Sequence, residues 1–224
     1  NVPALSAPLM APSYNAPEIP ASGKFSGVIL TSRHAVTGLC AATGGKLDDR
    51  IGGLPAFAVG RATGRAAREA GFRNVTIGHG GGAGLVPLIT EAAPRLNGPL
   101  LWPAAVHRGF DMAAVLDGIA DVVTMPVYEM CETEILPNDA VEAIAGGNVL
   151  GVILMSARSA RLFRERLLAL GQDRAVASMA LIAGSDAIVA AAGDNWAETF
   201  VSKRPARARL LAIASLLYDR RTRS

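Results

Sequence analysis

Five hydroxyls stand where hydroxyls can do work: Thr31, Ser32, Thr63, Ser156 and Ser185. Each follows a short apolar run and opens a helical pattern, which places it at the C-terminal end of a strand. In parallel α/β sheets that edge is where ligands bind. The helix that follows presents free N–H groups and the positive end of its dipole. Hydroxyls and helix N-termini together suit a polyanion. N-capping accounts for any one of these residues without a function; five at equivalent places argue for a shared purpose.

Other chemistry-bearing patterns fail on inspection. His34, His79 and His107 are far apart, with no second ligand at metal spacing, so no metal site is expected and each is read as a loop or helix-start residue. No Ser-His-Asp order is readable. In Gly78-His79-Gly80-Gly81-Gly82-Ala83-Gly84 the last position of a dinucleotide fingerprint falls on Ala83 or Leu85. Gly45-Lys46 suggests a phosphate loop, but Cys40 stands where its first Gly must be and Leu47 where Ser or Thr must be. The Gly-rich loop is either an anion cradle or a plain βα turn.

The elements that must position the hydroxyls alternate. Strands are expected at Gly27–Thr31, Ala56–Val59, Asn74–Ile77 and Leu100–Trp102, with helices over Ser32–Thr43, Ala62–Ala70, from Leu85, and over Phe110–Leu116. Asp121–Glu129 reads as a further strand. Pro126 has no N–H for a ladder and argues for an edge or bridging segment. Helices at Asp139–Ala145, Ser159–Leu170, Asp186–Ala192 and Ala206–Tyr218 then alternate with strands at Val149–Met155, Met179–Ile182 and Thr199–Ser202. Alternation of this kind implies parallel sheets.

After Tyr128 the chain begins again. Gly27-Val28-Ile29-Leu30-Thr31-Ser32 is echoed by Gly151-Val152-Ile153-Leu154-Met155-Ser156, and Phe57-Ala58-Val59-Gly60 by Leu181-Ile182-Ala183-Gly184. Within each half the paired strand ends lie about 30 residues apart, the length of a strand–helix unit with its turns. Two echoes in the same order make duplication the better reading. The fold class expected is therefore α/β, two small duplicated parallel-sheet domains. The halves differ at one end. The pair Leu100–Leu116 has its counterpart upstream of Val2, so a strand and a helix are expected to be missing there.

Composition narrows the class. The chain has 224 residues, of which 50% are hydrophobic and 18% charged. No apolar run reaches the ~18 residues of a membrane span, and no charged-then-apolar leader opens the chain. The sequence begins at Asn1 without Met, as a fragment or a processed chain would. Two cysteines, Cys40 and Cys131, make neither a disulfide framework nor a metal site and point to a reducing, cytoplasmic compartment. Lys203, Arg204, Arg207, Arg209, Arg220, Arg221 and Arg223 face only Asp219 at the C-terminus. Cations at a helix end are ordinary dipole compensation, so no nucleic-acid partner is expected.

The chain resembles the uroporphyrinogen-III synthase family. Ile29-Leu30-Thr31-Ser32-Arg33-His34-Ala35-Val36 matches its "FTS–nAV" strand end and Phe57–Thr63 its "yaVG–T" turn. Val127-Tyr128-Glu129 resembles its "vYe" linker, Leu154–Ala160 its "FTSp–sa", and Ile182–Ser185 its "iG–t/iS" turn. These run in order from Ala4 to Leu217. The resemblance implies two α/β domains joined by a two-stranded β linker: Ala4–Met10 and Val122–Glu129 are the linker strands, residues 11–121 one domain and 130–224 most of the other. The resemblance implies closure of hydroxymethylbilane to uroporphyrinogen III, with inversion of the last pyrrole ring and loss of water, by a cytoplasmic monomer without cofactor. That substrate carries eight carboxylates, which suits hydroxyls, backbone N–H groups and Arg. Motif carry-over makes Tyr128 the acid for the departing hydroxyl. One departure is Leu101–Arg108, where the family has "lrG" before a basic residue; either His107 or Arg108 takes that role or activity is altered, and Arg108 joins the hydroxyls as the expected substrate ligand. The alternative is a non-enzymatic periplasmic-type receptor for a small ligand, also built of paired α/β domains.

Overall fold

The structure, a computed structural model, describes residues 2–20, 25–47, 49–202 and 207–222. In chain order the strands are β1 (Met10–Tyr14), β2 (Gly27–Leu30), β3 (Pro55–Ala58), β4 (Asn74–Ile77), β5 (Leu100–Ala105), β6 (Val122–Glu132), β7 (Gly151–Leu154), β8 (Ala180–Ala183) and β9 (Glu198–Val201). The helices are α1 (Arg33–Ala42), α2 (Asp49–Gly52), α3 (Arg61–Ala70), α4 (Val86–Ala92), α5 (Met112–Val115), α6 (Asn138–Ala145), α7 (Ala157–Ala169), α8 (Asp186–Ala192) and α9 (Arg207–Thr222). The fold is mixed α/β with a sheet that is mainly parallel. Lys203, Arg204 and Arg223 of the basic C-terminus lie outside the described residues.

The chain divides into two units, Pro12–Cys131 and Asn1–Ala11 with Glu132–Ser224, the divisions falling inside β1 and β6. The first unit is built on a sheet of order β1-β6-β5-β2-β3-β4. β2 pairs in parallel with β3 and β5, β3 with β4, and β5 with β6. Both faces are covered, as a continuous apolar strand such as β2 requires. Val28 and Leu30 point to a core shared with Val36, Leu39 and Ala67, while Ile29 points to the opposite core with Leu85, Ile89 and Trp102. The β2–α1 corner is fixed by Ser32, whose Oγ accepts the Ala35 N–H at 2.9 Å. α3 ends at Gly71, whose φ of 113° is the left-handed stop that glycine supplies freely.

Two expectations for the linker strands are corrected. The strand expected at Ala4–Met10 lies later, at Met10–Tyr14. Pro3 and Pro8 withhold ladder donors from the earlier stretch, and Pro12 sits on an edge strand, where proline is tolerated. Asn15 N donates to Val127 O at 3.0 Å and Thr133 N to Leu9 O at 3.1 Å, which runs β1 antiparallel to β6. Pro126, read as the mark of an edge or bridging segment, lies in a strand flanked by β1 and β5, so the edge reading is the one corrected. The register there shifts: Ala104 faces Pro126, but Ala105 faces Tyr128. A bulge thus absorbs the proline and its missing donor. β5 also runs past Trp102 to Ala105, because β2 pairs only with Leu100 and Leu101 and asks nothing of Pro103.

The second unit holds β7, β8 and β9, all parallel. One core gathers Leu154, Phe163, Leu167, Leu181 and Ile188 under α7 and α8, joined by Leu9; the other sets Ala180 and Ile182 against Leu210 and Leu217 of α9. β7 has the same Gly-Val-Ile-Leu sequence as β2 but pairs only with β8 among the described residues. Beside it runs an apolar groove of about 990 Å³ lined by Leu5, Leu9, Ile153, Phe163, Leu211 and Leu217.

Candidate active site

The site in the first unit starts from the bulge. A regular strand alternates its side chains, so neighbouring Val127 and Tyr128 would face opposite ways. The extra residue at the register shift brings both into one core with Met125. That core lies under α1. Gly38 of α1 makes the approach possible: a Cβ there would stand 2.7 Å from the Val127 carbonyl oxygen. With helix and strand so close, the start of α1 reaches the tyrosine. Ser32 Oγ lies 3.0 Å from the Tyr128 hydroxyl, and Tyr128 is 9% exposed. Ser32 already accepts the Ala35 N–H, so its own proton is free to be donated to the phenolic oxygen.

Next along the same sheet edge, Trp102 Nε1 donates to Thr31 Oγ1 at 3.2 Å. The Arg108 guanidinium lies over the Trp102 ring, 5.2 Å from its centroid, a cation–π contact. It also donates to the Ala105 and Val106 carbonyls at 3.2 and 3.4 Å, which holds an exposed cation in place. His107 Nε2 meets Glu129 Oε1 at 3.2 Å on the surface. Val106 N donates to Tyr128 O at 2.9 Å, tying this loop to the bulged strand.

The structure therefore brings Thr31, Ser32, Arg108 and Tyr128 to one edge of one sheet. Thr63 sits in the first turn of α3 with its side chain turned inward, 5% exposed, and the cap position of that helix is Gly60. Ser156 and Ser185 belong to the second unit. Ser156 caps α7, accepting the Ser159 N–H at 3.0 Å and donating to Ser159 Oγ at 2.9 Å. Ser185 takes the equivalent place before α8, but its side chain makes no cap bond and is exposed. Glu132, at the end of β6, accepts from Arg158 at 3.1 Å and Arg161 at 3.4 Å of α7. Among the described residues no three His, Cys, Asp or Glu side chains form a group that could hold a metal ion.

Three residues of this edge were not singled out from the sequence: Tyr14, His34 and Trp102. The Tyr14 hydroxyl lies 2.9 Å from His34 Nδ1, and the His34 ring is 5.6 Å from that of Tyr128. Burial first, and the Arg33 guanidinium second, hold the His34 pKa below its ordinary 6.5, favouring the neutral ring. His34 was findable, two residues beyond Ser32 on the opening turn of α1. Tyr14 was not, because its place follows from the register of β1 on β6.

No helix among the described residues is long and apolar enough to cross a membrane. A search of curated protein sequences finds no match. Among solved structures, the chain is similar to uroporphyrinogen-III synthetase from Helicobacter pylori, with a TM-score of 0.61 at 18% identity over 93% of this chain and 91% of that one. It also aligns with a mutant uroporphyrinogen III synthase from Thermus thermophilus, with a TM-score of 0.48 at 16% identity over 95% and 88%. At such identity the first likeness speaks to the fold. The family model for "Uroporphyrinogen-III synthase HemD" matches residues 4–212, nearly the whole length. The chain thus belongs to the uroporphyrinogen-III synthase family, lyases of tetrapyrrole biosynthesis.

Proposed function

We propose that this chain closes hydroxymethylbilane into uroporphyrinogen III, with inversion of the last ring and loss of water, and that Tyr128 protonates the departing hydroxyl. The family match supports the reaction. One observation supports the role of Tyr128: its hydroxyl lies at the C-terminal edge of the sheet, 3.0 Å from a second hydroxyl, Ser32. A phenol is protonated at neutral pH and can give its proton as the C–O bond breaks. Water leaves, and the phenolate left behind accepts a hydrogen bond from Ser32. The proton released when the pyrrole carbon is substituted restores the phenol.

Thr31 and Ser32 offer hydroxyls, and Arg108 a charge held over Trp102, to the substrate carboxylates. Ser156 and Ser185 do the same on their own unit at the openings of α7 and α8. Thr63 supports its turn from the buried side.

We read the two units as duplicates joined through β1 and β6. In support, the two Gly-Val-Ile-Leu runs are both strands, each followed by a serine-capped helix. We read the protein as a cytoplasmic monomer without a nucleic-acid partner. Arg220 and Arg221 support only the last of these, being engaged on Glu198 at 2.6 and 3.2 Å. No observation favours the receptor alternative. Incubating the protein with hydroxymethylbilane and separating the type I and type III products by chromatography tests the assignment: type III product is expected, and type I alone would refute it.

A further inference from the structure

The first unit carries a row of three rings. Tyr14 is 37% exposed, yet its hydroxyl is engaged, 2.9 Å from His34 Nδ1. The Tyr14 and His34 ring centroids are 6.2 Å apart with planes at 44°, and those of His34 and Tyr128 5.6 Å apart at 46°. Both lie in the tilted range that aromatic pairs favour. Whichever of the two atoms donates, the Tyr14–His34 bond fixes the ring plane of His34.

The consequence falls on Tyr128. Its oxygen is held by Ser32 and its ring is packed by His34, and these two residues sit on the same opening turn of α1. His34 is in turn held by Tyr14 on β1, beside the bulge, where Asn15 N bonds Val127 O at 3.0 Å. Release of His34 removes one of the two constraints on the phenol while leaving the Ser32 bond in place. We propose that Tyr14 and His34 are positioning residues that act as one unit to aim the Tyr128 phenol in the ring-closing reaction. The proposal rests on the assignment of that phenol as the proton donor.

The test uses the full chain with hydroxymethylbilane and four variants: Tyr14→Phe, His34→Phe, the double change, and Tyr128→Phe. Tyr14→Phe keeps the exposed ring and deletes only the hydroxyl. It is expected to lower kcat by roughly two- to ten-fold, the worth of one hydrogen bond, with KM and melting temperature unchanged. His34→Phe keeps a ring against Tyr128 but removes the hydrogen-bond partner of Tyr14, and a similar loss is expected. Because the two act through one contact, the double variant is expected to be no slower than the slower single one. Unchanged kcat in Tyr14→Phe beside a slow Tyr128→Phe overturns this proposal alone. So do losses that multiply in the double variant, or that follow a fall in melting temperature. Full activity in Tyr128→Phe overturns the donor assignment and this proposal with it. If His34→Phe fails to fold, Tyr14→Phe still decides, since its side chain lies on an exposed edge strand.

Discussion

Gly38→Ala is the change that asks most of the account. Alanine is the better helix former, by ~1 kcal/mol in a helix interior, so propensity alone predicts a gain. The structure predicts a loss. The new Cβ would stand 2.7 Å from both the Val127 carbonyl oxygen and Val127 Cγ2, and 2.8 Å from its Cβ. Carbon neighbours rest at about 3.5–4.0 Å, so α1 and β6 must separate by roughly 1 Å. Two of the three atoms are fixed to the strand and cannot rotate away. Overpacking of this kind costs about 1–3 kcal/mol, which leaves a net loss of ~0–2 kcal/mol after the propensity gain. For a chain of this size that is a fall of up to about 8 °C in melting temperature. Activity should suffer more. Ser32 travels with α1 and Tyr128 with β6, so their 3.0 Å contact opens. A misplacement of ~1 Å is worth about 100-fold in rate. Thermal melts and turnover, the latter measured well below the transition, separate the two effects. A variant that melts higher than the parent and turns over normally would refute the claim that this close approach positions the site.

Other outcomes follow from single contacts. Ser156→Ala should cost ~1 kcal/mol of stability and Ser185→Ala much less, because only Ser156 makes its cap bond; equal melting temperatures in both variants would contradict this. Arg108→Ala should raise KM for hydroxymethylbilane more than it lowers kcat, since it removes a charge held for the carboxylates; steady-state kinetics decide, and an unchanged KM counts against that role. The depressed pKa of His34 means that the unfolded chain takes up a proton first as pH falls. Its contribution to stability is therefore present above pH 6.5 and is lost as pH falls from there through the lower folded value. Melting curves at about pH 7.5 and about pH 5 should show a smaller acid-induced fall in His34→Gln than in the parent.

Much of the fold was legible because it is local. Gly-Val-Ile-Leu is a strand in both places, and Ser32 and Ser156 each cap the helix that follows. Gly71 stops α3 as its position suggested. The misreadings have a common cause, which is that long-range pairing overrides local signals. Pro126 signals an edge or bridging segment, but a register shift four residues after β6 begins lets a strand flanked on both sides accept it. The linker strand was placed at Ala4–Met10 for its apolar residues, while Met10–Tyr14 is where β6 offers partners. α2 spans only Asp49–Gly52, too short for a periodic pattern to show. In the candidate site, Thr31 and Ser32 could be named from type and place, and Tyr128 from the family resemblance. Their contacts could not, since Ser32 meets Tyr128 across 96 residues and Trp102 meets Thr31 across 71. Thr63 was picked for its place on a turn, and nothing in the sequence told that its side chain turns inward.

The most direct measurement is hydroxymethylbilane turnover by the parent chain and by Tyr128→Phe, with the type I and type III products separated and both proteins shown to melt alike. Removal of the phenolic proton while the ring stays packed should slow type III formation by roughly 100-fold or more, the usual worth of a positioned acid. Type III formation by Tyr128→Phe at the parent rate would contradict the account.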